Sequence, residues 1–227
     1  HFEYEHPKTP RALVDQIRTC MSLTRTGLLV WFDAQETGSE RMKDAAFPFE
    51  MMAGFHPLEG IAMAAEFPDR ARDRMAQDMF RALVWVGRDV VESGDRARFT
   101  VVLAHELRHV EQYLFNPQLH YANVVILNYL YRLPPQVKQK YTRYDSPVEF
   151  DAEARARAIA ACVCGENATR DFYLAKGEGF EAFVQPVEVL SMKEVEDKVS
   201  EWLRTHRARG VHPSRETGAF ASGEAAH

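Results

Sequence analysis

Val101-Val102-Leu103-Ala104 runs straight into His105-Glu106-Leu107-Arg108-His109, and this junction constrains the fold more than any other stretch of the chain. The spacing predicts a helix from about Arg96 to Leu114, broken by Asn116-Pro117. Apolar residues crowd the N-terminal side of His105, so this turn is packed rather than solvated. Residues four apart lie one turn along the same helical face, so both imidazoles can point at one ion. Glu106 lies about 100° around the helix from His105, beside such an ion, where a carboxylate can take a proton from water and return it to a leaving amine. The competing explanation is a polar-decorated helix whose H-E-x-x-H is a coincidence.

The surroundings read as an α+β protein, with a small N-terminal β element packed on a mainly helical body. Apolar positions between residues 7 and 26 recur at helical spacing and stop at Gly27. Leu28–Phe32 reads as a buried strand, Gly60–Glu66 as a weaker one, and most of 34–59 as loop. Met75, Met79, Leu83, Val86 and Val90 read as one face of a long helix from Asp69 to about Gly94. Further helices are expected over Tyr121–Leu133, from Ser146-Pro147 to just before Gly165, near 167–175, and from Met192 to Arg207. Residues 1–207 form a single domain in this reading, and 208–227, small and polar, a loose tail.

Composition narrows the function. The chain of 227 residues is 46% hydrophobic and 27% charged, as in ordinary soluble globular proteins. Its 28 Lys plus Arg against 33 Asp plus Glu lack the basic footprint of a nucleic-acid binder. No apolar run approaches the roughly 18 residues of a membrane span. Three cysteines, Cys20, Cys162 and Cys164, are too few for a disulfide framework and favour a reducing, cytoplasmic setting; the C-x-C pair reads as buried or half-buried thiols. Beginning at His1 rather than Met, the chain reads as trimmed from something longer, so the missing signal peptide carries little weight.

Two histidines are too few for a catalytic zinc site, which normally takes three protein ligands and leaves a fourth position open. A metzincin would continue with Gly at 112 and His at 115, whereas this chain has Gln112 and Phe115. What remains is a glutamate on a later helix, in Glu149-Phe150-Asp151-Ala152-Glu153, 40 residues beyond His109. H-E-x-x-H followed by E-x-x-A-[DE] resembles the gluzincin branch of the zincin metallopeptidases, over roughly Thr100–Ala161. The resemblance implies a zincin-like fold with the motif on a central helix, one Zn²⁺ per chain on His105, His109 and Glu149, and Glu106 as general base. It also implies that Glu153 hydrogen-bonds a ligand histidine, although Glu153 stands where aspartate is usual and could itself be the ligand. The expected activity is zinc-dependent hydrolysis of peptide bonds in a peptide or protein substrate. The alternatives are a zincin-like binding or regulatory module without peptidase activity, and a metal-dependent hydrolase of a non-peptide amide.

Several readings stay open at this level. Ser146-x-x-Glu149 is also a capping box, so Glu149 could serve the helix end instead of a metal. Asp151 points to another face and is a third choice of ligand. Tyr121, Tyr129, Tyr131, Tyr141, Tyr144 and His120 are candidates to stabilise an oxyanion. Gln112 could lie near the site, and Arg108 and Glu111 read as the solvent face of the helix. Gly60–Glu66 or Leu28–Phe32 could be an edge strand that pairs with extended substrate, as zincins usually provide.

Overall fold

The computed structural model describes residues 2–4, 8–23, 28–34, 53–57 and 82–207. Strands β1 (Phe2–Tyr4), β2 (Leu28–Ala34), β3 (Ala53–Pro57) and β4 (Ala82–Gly87) form one sheet in the order β1-β2-β4-β3. The first three neighbours run parallel, with Trp31 opposite Trp85, and β3 runs antiparallel along the edge of β4. The helices are α1 (Arg11–Cys20), α2 (Arg88–Glu92), α3 (Arg96–Phe115), α4 (Pro117–Tyr131), α5 (Pro135–Lys138), α6 (Pro147–Cys164), α7 (Glu166–Lys176) and α8 (Met192–Arg207). A small sheet beside a mainly helical body matches the expected α+β class. No helix among the described residues is long and apolar enough to cross a membrane.

The long helix expected from Asp69 to Gly94 is corrected at its C-terminal half: residues 82–87 are β4. Val84 and Val86 are fully buried. A strand paired on both sides and packed into the core reads as a continuous apolar run, and in Leu83-Val84-Trp85-Val86 the β-branched and aromatic residues favour the pleated state. The helical spacing of Leu83, Val86 and Val90 is incidental. Met75, Met79 and Gly60–Glu66 lie outside the described residues, as does the tail from 208. The stretch 34–59, expected as loop, contains β3. Helix α1 stops well before Gly27 because Ser22 takes a left-handed φ of 55°. Ser22 N–H then donates to the Thr19 carbonyl and Leu23 N–H to the Arg18 carbonyl, which closes the helix in a Schellman motif without glycine.

Helix α3 is the centre of the molecule. Asp95 caps it by accepting from Arg98 N–H at 2.9 Å. From Ala97 to Tyr113 it buries residues on every side, including Phe99, Leu103, Ala104, Leu107 and Val110, as a helix inside a core must. Its main partner is α6, whose Ala152, Ala154, Ala156 and Ala160 are fully buried and let the two backbones approach closely. The main core joins the sheet, α1, α3, α6 and α7. A second cluster, Leu119, Ile126, Leu130, Val148, Val195 and Val199, ties α4 and α8 to the start of α6. Strand β3 lies against α3. Of the C-x-C pair, Cys164 is half-buried as expected, but Cys162 is exposed; Cys20 is half-buried.

Candidate metal centre

His105 and His109 stand one turn apart on α3, with ring centroids 4.8 Å apart and ring planes nearly perpendicular. Their Nε2 atoms are 3.2 Å apart. The first turn of α6 brings Glu149 to them, with Oε2 3.4 Å from His105 Nε2 and Oε1 3.4 Å from His109 Nε2. An ion with tetrahedral bonds of about 2.05 Å holds its ligand atoms about 3.3 Å apart, so the three residues fit such an ion. They form a group that could hold a metal.

The partners behind each ligand explain why the lone pairs converge. Gln112 Nε2 donates to the Val148 carbonyl at 3.0 Å and to Asp151 Oδ2 at 2.8 Å, so its Oε1 is the acceptor for His109 Nδ1–H at 2.8 Å. His105 Nδ1–H donates to Glu153 Oε2 at 2.7 Å. With both rings neutral, these bonds hold the proton on Nδ1 and leave an unprotonated Nε2 facing inward. Two nitrogen lone pairs and a carboxylate facing one point repel one another unless a positive charge lies among them, either a bound cation or, with no ion, the proton that Glu149 and Glu153 favour on His105. Among these groups the carboxylates of Glu106, Glu149 and Glu153 outnumber the guanidinium of Arg143, which favours a positive charge between the ligands.

Glu149 does not cap α6. The Ser146 hydroxyl instead donates to Asn123 Oδ1 at 2.6 Å, and Asn123 Nδ2 donates to Glu149 Oε1 at 2.7 Å. The capping-box alternative thus gives way to a relay from α4 that aims the carboxylate at the histidines. Burial opposes its charge, but His109, His105 and Arg143 hold its pKa well below the usual carboxylate range. Glu153 sits one turn further on, behind His105 and outside the triad. Its Oε1 accepts from the Tyr173 hydroxyl at 2.8 Å, so both oxygens are committed. Glu106 is half-buried beside the pair; burial raises its pKa, while His105 and His109 pull it down. Burial disfavours protonated His105, yet hydrogen bonds with Glu149 and Glu153 lift its pKa to about 9.

Arg108 is not on the solvent face. It is buried, with Nε donating to Asp151 Oδ2 at 2.8 Å, Nη2 to Asp151 Oδ1 at 3.1 Å and to the Leu190 carbonyl at 3.0 Å, and Nη1 to Glu111 at 2.8 Å. Asp151, fully buried, is spent on Arg108 and Gln112 and stays out of the triad. Removing one partner leaves a buried unpaired charge, so Arg108→Ala is expected to lower unfolding free energy by about 3–5 kcal/mol in urea titration. A loss under about 1 kcal/mol would mean that Asp151 keeps its charge satisfied without Arg108.

Among the tyrosine candidates, Tyr129 packs on Trp202 and His206, and Tyr121 and His120 meet edge to face. Tyr141 packs against the second cluster. Tyr131 and Tyr144 feel Glu149: burial and that carboxylate push Tyr131 up to about 12, and burial and Glu153 raise Tyr144 well above the usual phenol range. Sequence reasoning missed Asn123, Tyr173 and Arg143. Arg143 sits in the single turn Arg143–Asp145, where Tyr144 N–H donates to Thr142 Oγ1 at 3.1 Å and Thr142 N–H to Asp145 Oδ2 at 2.6 Å. The signal that could have found it is Thr142-x-x-Asp145, a capping pattern that ends two residues before Pro147. Comparison of the chain with family models, with curated proteins and with solved structures finds no match in any of the three.

Proposed function

We propose that this chain is a zinc-dependent peptidase with a gluzincin-like site. The observation that carries the reading is the convergence of His105 Nε2, His109 Nε2 and the Glu149 carboxylate at 3.2–3.4 Å, with Glu106 beside them. His105, His109 and Glu149 would hold Zn²⁺, which supplies Lewis acidity to the scissile carbonyl. Glu106 holds the attacking water and takes its proton as oxygen bonds to the carbonyl carbon. It then gives that proton to the departing nitrogen as the C–N bond breaks. Glu153 and Gln112 keep the two imidazoles in the tautomer this requires.

The sheet lends further support to a zincin-like arrangement. Leu28–Phe32 cannot be the substrate-pairing edge, because β2 is paired on both sides, by β1 and β4. Strand β3 is at the edge, antiparallel to β4 and against α3, and among the described residues it pairs on one side only. An extended peptide can add there by main-chain hydrogen bonds.

Metal removal tests the reading. A ligand present at about 100 times its Kd stabilises the folded state by about 2.7 kcal/mol, which is about 5–10 °C in Tm for a chain this long. Zinc added to chelator-stripped protein is therefore expected to raise Tm by that amount and to restore casein hydrolysis that chelation had stopped. An unchanged Tm together with unchanged hydrolysis would rule out a zinc enzyme.

A further inference from the structure

Two thiols from distant parts of the chain meet where α1 ends against the last turn of α6. Cys20 is the final residue of α1, and Cys162 lies in the last turn of α6. The two helices pack on one another, and Arg155 Nη2 of α6 donates to the Cys20 carbonyl at 3.3 Å. Arg155 and Cys162 are two turns apart, within about 20° of the same helical face. The face of α6 that holds the end of α1 therefore also presents Cys162, and the Cys20 and Cys162 thiols hydrogen-bond each other.

Cys164 is placed differently. Two residues along a helix is about 200° of rotation, so the two thiols of C-x-C point to opposite sides. Cys164 Sγ is 3.3 Å from Thr100 Oγ1 and 3.6 Å from the Arg96 carbonyl oxygen, both on α3. The thiol that Cys162 can reach is thus Cys20 rather than its neighbour in sequence. Exposure divides the work within the pair. Cys162 is exposed, whereas Cys20 is half-buried and packs on the main core. Burial and the Cys162 sulfur push the Cys20 pKa up, with Arg155 drawing it the other way. A reagent in solution therefore meets Cys162 first. An exposed thiol with a second thiol in reach is the arrangement that closes a disulfide by exchange.

We propose that Cys20 and Cys162 are a redox-active pair, which a low-molecular-weight disulfide such as oxidised glutathione converts into a covalent strap between α1 and α6. The Cys162 thiol loses its proton to solvent, and the thiolate attacks one sulfur of the reagent. The reagent's S–S bond breaks, a mixed disulfide forms on Cys162, and one glutathione leaves as a thiolate. Cys20 then loses its proton to solvent and attacks the Cys162 sulfur, which expels the second glutathione thiolate. Both leaving thiolates take up protons. The two cysteines are oxidised by two electrons, and one glutathione disulfide is reduced to two thiols. The proposal is independent of the zinc reading, because neither sulfur belongs to the group of His105, His109 and Glu149. Against it stands the simpler role of the two thiols as packing between helices.

Peptide mapping of the parent protein separates these roles. The folded chain is incubated with oxidised glutathione, quenched in acid, alkylated, digested and read by mass spectrometry. The expected product is a peptide pair joined through Cys20 and Cys162 and released by dithiothreitol, with Cys164 alkylated. Cys20→Ser is expected to stop at the mixed disulfide on Cys162, and Cys162→Ser to leave Cys20 open to alkylation. Closing so long a loop restricts the unfolded chain, so the oxidised parent is expected to unfold about 5–15 °C above the reduced parent, a rise absent from Cys20→Ser. A Cys162–Cys164 linkage, a glutathione adduct that persists on Cys162 of the parent, or cysteines that all remain open to alkylation would overturn the proposal. A linkage that leaves Tm unchanged or lowers it would overturn it too, since the strap would then form only by distorting the fold.

Discussion

The Glu106→Gln protein is expected to hold zinc as the parent does and to lose hydrolysis by about 10²–10⁴-fold. The amide has the shape of the carboxylate, so the half-buried position beside His105 and His109 is refilled without a cavity. It cannot accept the proton of the attacking water, and it has none of suitable acidity to return to the leaving nitrogen. Because Glu106 contributes no atom to the His105–His109–Glu149 triangle, metal content and activity should separate in this variant. Measuring kcat/KM on casein or a quenched fluorescent peptide, together with zinc per chain, checks both halves. Turnover within a few-fold of the parent would place proton transfer on another group and sink the mechanism.

The second large effect contrasts the two glutamates of α6. Glu149→Ala removes a ligand carboxylate, with Oε2 3.4 Å from His105 Nε2 and Oε1 3.4 Å from His109 Nε2. Glu153→Ala removes only the acceptor that orients His105. Losing an orienting partner typically weakens metal binding by about 10–100-fold, and losing a ligand should exceed that range. Zinc affinity measured by competition with a chelating dye is therefore expected to fall about 10–100-fold in Glu153→Ala and well beyond it in Glu149→Ala. Folding stability without metal should fall in both variants. Glu153→Ala strands the Tyr173 hydroxyl and His105 Nδ1–H inside the core, and Glu149→Ala strands Asn123 Nδ2. Zinc binding lost in Glu153→Ala and kept in Glu149→Ala would exchange their roles.

The helices that frame the site were legible because their signals are local. Pro147 and Gly165 bound α6, Asn116-Pro117 ends α3, and H-E-x-x-H places both imidazoles on one face of a single helix. Ambiguity began where a residue had two local explanations. Ser146-x-x-Glu149 satisfied the capping pattern, and only Asn123, on another helix, decides that the serine and the glutamate part company. Leu83, Val86 and Val90 satisfied a helical period, and only the pairing of β4 with β2 and β3 decides for a strand. Arg108 looked solvated because its charge hides its partner, Asp151, 43 residues away. Arg143 carries no periodicity at all. Its place beside Glu149 comes from a single capped turn, which a four-residue window holds, and from Tyr144 packing on Phe183, which no local window contains.

The central claim, a metal site built from His105, His109 and Glu149, is tested most directly by metal content per chain. Elemental analysis of protein purified without chelator and without a histidine tag is expected to find about one zinc per chain, as a converging three-ligand set predicts. No bound metal, even after incubation with micromolar zinc and desalting, would contradict the account and reduce H-E-x-x-H to a decorated helix.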